Sequence, residues 1–357
     1  MSLVQQRSRT ESVDQASTRT RSGLLHVTWR RVLGLIVASV VLAAAVLASI
    51  LIGNYSISVG DVIAAVSRPP ETDLDRIIQH IRIPRTVAGL LAGVALGVAG
   101  TVMQGITRNP LAGPGILGIN AGAGLAVVFA MTVFGITATS GYVWFAFAGA
   151  AIAAVFVYAL GSLGLGGATP VKLALAGAAF TAFAGAITSA ITLLDATTLD
   201  DFRFWVVGSL TRADGTSLAA VAPFITVGVV VAISTSRTLN VVALGDDMAQ
   251  TLGTRLWSAR LIAALAVVLL AGSATAIAGP IGFIGLVVPH IARLITGSDY
   301  RWIMAWTIVL APAVLLLADV LGRILVAPQT LQVGIITGIA GAPFFLYLVR
   351  NRKVSGL

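Results

Sequence analysis

The sequence has no cysteine and only three histidines, at positions 26, 80 and 290. That excludes a disulfide scaffold and thiolate metal sites. Charge is the larger deficit: Asp, Glu, Lys and Arg make up 10% of the 357 residues, against about 25% in a soluble domain. With 57% hydrophobic residues and a mean hydropathy of +0.96, the chain lacks the polar surface that a water-soluble body of this size needs. Its solvent is lipid over most of its length. The 14 acidic residues and three histidines leave little for a catalytic constellation, so the chain does not read as an enzyme. No G-x-x-x-x-G-K-[ST] loop occurs, and the glycine-rich GSLGLGGATP at 161–170 lacks the lysine that would reach a phosphate. If nucleotide drives this protein, another chain hydrolyses it.

What is present is a series of apolar runs, all but one near the length of about 20 residues that a spanning helix needs. They fall at about 32–53, 86–104, 113–135, 143–163, 171–193, 219–236, 261–278, 281–292, 302–322 and 331–349. The stretch 261–292 holds no charged residue, but Gly279, Pro280, Gly282, Gly285 and Pro289 divide it into a full helix and a short one. Broken backbone at membrane depth is tolerated only where protein or a cavity buries it. Ten spans put both termini on one side. With the N-terminus inside, the inner segments hold 16 of the 23 Lys+Arg and 5 of the 14 Asp+Glu, as the positive-inside rule requires. The net charge of +9 therefore reads as basic cytoplasmic loops, with no nucleic-acid partner. Residues 1–31 read as a disordered basic cytoplasmic arm, too long and polar for a signal-peptide n-region. Residues 32–350 form an all-α polytopic domain, and 351–357 a cytoplasmic tail.

Small residues mark helix contacts. Gly89, Gly93 and Gly97 make two overlapping G-x-x-x-G steps, and Gly334 and Gly338 repeat the spacing in the last span. Asp319 is the one acidic residue well inside a span, and its spacing from Arg323 suits an i,i+4 pair. That leaves little for an ion-coupled secondary transporter, which needs intramembrane ionisable sites. The segment TTLDDFRFWVVGSLTRADG at 197–215 holds a short aromatic stretch suited to an interfacial helix.

Two segments suit protein contact. In ALGDDMAQTLGTRLW at 243–257, Asp246 and Asp247 stand where a helix N-terminus favours acids, Arg255 follows the helix end, and Met248 and Leu252 form an apolar edge. RIPR at 82–85 stands just outside the second span. Arginines at a helix mouth serve as interfacial anchors or as partners for carboxylates on a docking protein, and both remain open.

Four blocks together carry a resemblance: RIPRTVAGLLAGVALGVAGTVMQGITRNPLAGPGILGINAGAG at 82–124, ALGDDMAQTLGTRLWSAR at 243–260, AIAGPIGFIGLVVPHIARLITGSDYR at 276–301, and LLLADVLGRILVAP followed by GIITGIAGAPFFLYL. In this order they resemble the iron-siderophore and cobalamin (FecCD-type) permease subunits of bacterial type II ABC importers. The resemblance runs from about residue 31 to 350. It implies a ten-helix subunit of the inner membrane that pairs with a second permease subunit, identical or paralogous, around a translocation path. It further implies two ATPase subunits that bind ATP and Mg, and a substrate-binding protein on the outer side. On this likeness, Gly245, Asp246, Asp247, Met248, Leu252 and Gly253 supply ATPase coupling. Arg82, Arg85 and Arg323 dock the binding protein through acidic residues on its two lobes. The implied cargo is a ferric siderophore, with haem or cobalamin as alternatives. The chain itself carries no cofactor or metal site, and His290 is a structural residue near the short-helix break. One departure stands out: where the family often reads A-E-L-P-V-G, this chain has Thr330 for the Glu and Gln332 for the Pro.

Overall fold

A computed structural model describes residues 24–25, 27–53, 57–163 and 169–351. The basic arm lies outside the described residues up to position 23, as do positions 352–357 of the tail and 164–168 of the glycine-rich segment. The helices are α1 (Thr28–Leu51), α2 (Val59–Ser67), α3 (Asp73–Thr107), α4 (Ile119–Phe134), α5 (Thr139–Ser162), α6 (Pro170–Leu194), α7 (Ala196–Val206), α8 (Gly215–Val242), α9 (Asp246–Thr251), α10 (Leu256–Ala278), α11 (Ile284–Thr296), α12 (Tyr300–Leu325) and α13 (Val333–Asn351). Among the described residues there is no strand. Seven helices, α1, α3, α5, α6, α8, α10 and α12, are long and apolar enough to cross a membrane, and α4, α11 and α13 are shorter apolar helices. These ten fall on the ten predicted runs.

The scarce polar residues concentrate at helix starts, where backbone N–H groups have no intrahelical partner. Reciprocal capping boxes open α2 (Ser58 with Asp61), α3 (Thr72 with Asp75) and α8 (Asp214 with Ser217). Thr169 and Asp299 cap α6 and α12. Inside the bundle the helices meet through Ala, Gly and Val, which add no polar group to be satisfied.

Helix α3 is the axis of the fold. Its most apolar window is 78% buried, against 17% for α1 and 11% for α6, so α3 lies inside the subunit and α6 on its rim. The glycine ladder explains how α12 reaches it. A Cβ on Gly93 would strike the backbone of Pro312, and one on Gly89 or Gly97 would strike Leu316 or Ala311. On a neighbouring face of α3, Gly100 meets the backbone of Gly285 in α11. Gly334 is equally constrained, because a Cβ there would meet the carbonyl of Val207, and its N–H bonds the Gly208 carbonyl at 3.1 Å. Gly338 differs from the expected packing role: a Cβ there would meet nothing within 4 Å.

Some boundaries shift from the sequence reading. Helix α1 begins at Thr28, within the stretch read as the arm. Helix α3 begins at Asp73 rather than near 86, and its turn Ile78–Arg82 is π-wound. RIPR therefore lies within a continuous helix and not at its mouth. The Thr72 capping box starts the helix early, and at 1.5 Å per residue its 35 residues extend roughly 50 Å, longer than a bilayer core. The uncharged stretch 261–292 breaks at Gly279 to Phe283, where Phe283 takes a left-handed backbone at φ 67°. Its ring occupies the space that a side chain on Gly341 of α13 would need. The short helix then starts at Ile284 and continues to Thr296.

Candidate functional site

At one end of the bundle, three guanidiniums gather around one carboxylate. Arg82 and Arg85 come from the start of α3, Asp319 and Arg323 from the last turns of α12. Arg85 grips Asp319 with Nη2 on Oδ1 at 2.8 Å and Nε on Oδ2 at 3.0 Å. Arg323 donates from Nη2 to Asp319 Oδ2 at 2.8 Å, and from Nη1 to the carbonyls of Ser49 and Ile52, each at 2.8 Å. Arg82 donates to the same Ile52 carbonyl at 2.7 Å. The i,i+4 spacing of Asp319 and Arg323 is thus used, and Arg85 joins it from 234 residues away.

These arginines are not the exposed helix-mouth residues that their sequence position suggests. Arg82 and Arg85 are 6% exposed and Arg323 2%. The cause is the early start of α3, which draws RIPR into the bundle beside the end of α1. The cluster clamps α1, α3 and α12 together. It also leaves three positive groups against one negative group, Asp319, the ion-pair partner these arginines have among the described residues. Within this cluster two of the three guanidinium charges thus have no carboxylate of their own.

The opposite end carries α9. Gly245 opens it with φ 111°, a backbone few other residues adopt. Asp246 ties the helix to its surroundings, pairing with Arg260 of α10 at 2.9 Å and with Arg108, just beyond α3, at 3.4 Å. Asp247 is exposed in the first turn, as a helix N-terminus favours. Gly253 turns the chain away at φ 82°, and Thr254 closes the turn on the Ala249 carbonyl at 2.9 Å. Ala249 is buried, while Met248 and Leu252 are 52% and 59% exposed. Leu244 and Trp257 are still more exposed, at 64% and 69%. The sequence reading includes both in the contact segment 243–257 but names only Met248 and Leu252 as its apolar edge; the signal for the other two is a large apolar residue on each flank of the short helix. Four exposed apolar side chains thus stand on and beside a six-residue helix anchored by ion pairs, Met248 within it and Leu244, Leu252 and Trp257 flanking it, an arrangement suited to receiving a partner.

His290 is buried in α11 with its ring edge-on to Phe344 at 6.2 Å. Among the described residues, no group of three or more His, Asp or Glu side chains gathers that could hold a metal ion. Thr330 is exposed and Gln332 half-buried in the turn before α13, where Leu331 bonds the Gly322 carbonyl at 3.0 Å.

Against known proteins, residues 40–351 match the model of the FecCD transport family. The chain belongs to the FecCD transport family. It is 44% identical over 308 residues to the ferric enterobactin transport system permease protein FepD of Escherichia coli (strain K12), covering 86% of this chain and 92% of the relative. The hemin transport system permease protein HmuU of Yersinia pestis is 37% identical, with 77% and 83% covered. Among solved structures, an inward-facing protein described as a metal-chelate type ABC transporter matches with a TM-score of 0.77 at 26% identity, covering 88% of this chain and 98% of that one. This FecCD protein is thus a multi-pass permease of the inner membrane with the type II ABC importer fold, as its relatives are transport permeases.

Proposed function

We propose that this FecCD permease carries a ferric siderophore across the inner membrane as the transmembrane subunit of an ABC importer. The observation that carries the reading is the near full-length likeness, at 44% identity, to a ferric enterobactin permease. ATP and Mg would be bound by two separate ATPase subunits, each seating α9 of one permease in a surface groove. The anchored helix with Met248, Leu252, Leu244 and Trp257 outward supports this, because ion pairs to α10 and to the end of α3 would pass its displacement into the bundle. A substrate-binding protein would dock at the arginine end. The local surplus of guanidinium over carboxylate at Arg82, Arg85 and Arg323 would favour acidic residues on its lobes at that spot, from beneath the surface rather than through exposed side chains. A second permease, identical or paralogous, would cover the exposed apolar side chains of α6 and α13, such as Phe183, Leu346 and Tyr347. Both termini would lie in the cytoplasm.

Haem or cobalamin is the second reading, favoured by the hemin permease relative and by a 38% identical cobalamin import permease from Halobacterium salinarum. Uptake by the reconstituted complex, measured with ferric enterobactin, hemin and cobalamin in turn, tests the proposal. ATP-dependent uptake of the ferric siderophore is expected. Uptake of hemin or cobalamin alone would overturn the cargo, and uptake driven by an ion gradient without ATP would overturn the importer.

A further inference from the structure

On the outer flank of the bundle, at the α9 end, a groove of about 540 Å³ runs between the last turns of α8 and the first turns of α12. Arg237 and Arg301 line its charged end, in the last turns of α8 and the first of α12, and Ile233, Met304 and Ile308 line it further along the two helices. Arg301 holds Asp299 with two N–H groups, at 3.2 and 3.0 Å. Asp299 also accepts from Asn240 at 2.7 Å, so its charge is spent on that network. Arg237 is exposed and has no ion pair among the described residues. The groove therefore has an uncancelled cation at its charged end and apolar walls further along. Ile308 lies seven residues along α12 from Arg301, roughly 10 Å deeper into the membrane.

The depth is set independently by aromatic residues. On the other flank of α12, Trp302 lies under the guanidinium of Arg31 at 5.7 Å, and Trp29 under that of Arg30 at 5.5 Å. Tryptophan and arginine side by side mark the headgroup level of a bilayer, and Trp302 is the residue next to Arg301. The charged end of the groove thus sits at headgroup height and its apolar stretch at acyl-chain height.

We propose that this groove binds an anionic phospholipid, its phosphate on Arg237 with support from Arg301, and one acyl chain along Ile233, Met304 and Ile308. The positive-inside reading puts the site on the cytoplasmic leaflet, where a basic pocket between helices recognises anionic headgroups. The site is independent of the transported cargo. By holding α8 against α12, a bound lipid would brace the two helices that enter and leave the α9 and α11 region.

The test uses the full chain, delipidated in mild detergent and titrated with phosphatidylglycerol or phosphatidylcholine, with bound lipid counted by native mass spectrometry. Phosphatidylglycerol is expected to bind more tightly. Arg237→Gln should weaken it about fivefold, the worth of one arginine near a surface, and R301Q less, because Asp299 already holds that side chain. Ala305→Trp, which fills the groove wall without changing charge, should abolish retention, while Arg76→Gln at the other end should change nothing. Thermal unfolding of each variant checks that it is folded. Equal retention of phosphatidylcholine, or an unaltered R237Q, would overturn the site. Retention in A305W with loss in R237Q would reduce it to surface charge, and displacement by millimolar glycerol phosphate would make it a free-phosphate site; either would overturn the lipid assignment.

Discussion

Asp319→Asn should be among the most damaging single substitutions in this protein. Its carboxylate accepts four N–H contacts, three from Arg85 and one from Arg323, at 2.8 to 3.2 Å. The side chains of Asp319, Arg323 and Arg85 are 0%, 1% and 7% exposed. Asparagine fills the same space, but it removes the only negative charge in the cluster and turns an NH₂ toward a donor. The uncompensated charge rises from two to three. Removing one partner of a buried ion pair costs about 3–5 kcal/mol, and here one carboxylate serves two arginines. A fall of roughly 10 °C in the midpoint of thermal unfolding in detergent follows. Arg85→Met should cost less, about 2 kcal/mol, because it leaves Asp319 and Arg323 as a one-to-one pair. The double variant D319N/R85M returns the surplus to two and should be less damaging than the two single losses added together. A D319N protein as stable as R85M, or strictly additive losses, would refute the charge argument.

Met248→Asp with Leu252→Asp should abolish co-purification of the ATPase while leaving the permease folded, since both side chains already face water; unchanged co-purification would remove α9 from the ATPase interface. Arg82→Gln spares the Asp319 clamp and lowers the surplus charge by one, so binding-protein affinity should fall severalfold and its salt dependence should flatten, as read by surface plasmon resonance at two ionic strengths. Gly93→Val should destabilise by about 1–3 kcal/mol, because its side chain meets the Pro312 backbone. Gly338→Ala, with open space around it, should be neutral by the same unfolding assay.

Much of this protein is legible without coordinates. Ten apolar runs near membrane-spanning length, the break at Gly279 to Phe283, the short helix at Asp246 and the glycine ladder at 89, 93 and 97 all follow from hydropathy, helix breakers and helical spacing, which are local properties of the chain. The capping boxes at Ser58 and Thr72 are local too, and the second explains the early start of α3 that the polar character of 54–85 obscures. What local pattern leaves open is how each helix is rotated and which helix it meets. No spacing rule joins Arg85 to Asp319 across 234 residues, and hydropathy cannot reveal that RIPR is buried. Nor can it show that Leu244 and Trp257 stand with Met248 and Leu252, or that Arg237 faces Arg301 across a groove. Those placements come from close packing of α8, α11 and α12 around α3. In lipid, an apolar helix has no hydrophobic reason to prefer one face, so only backbone contacts at small residues and a few buried polar pairs select its partners.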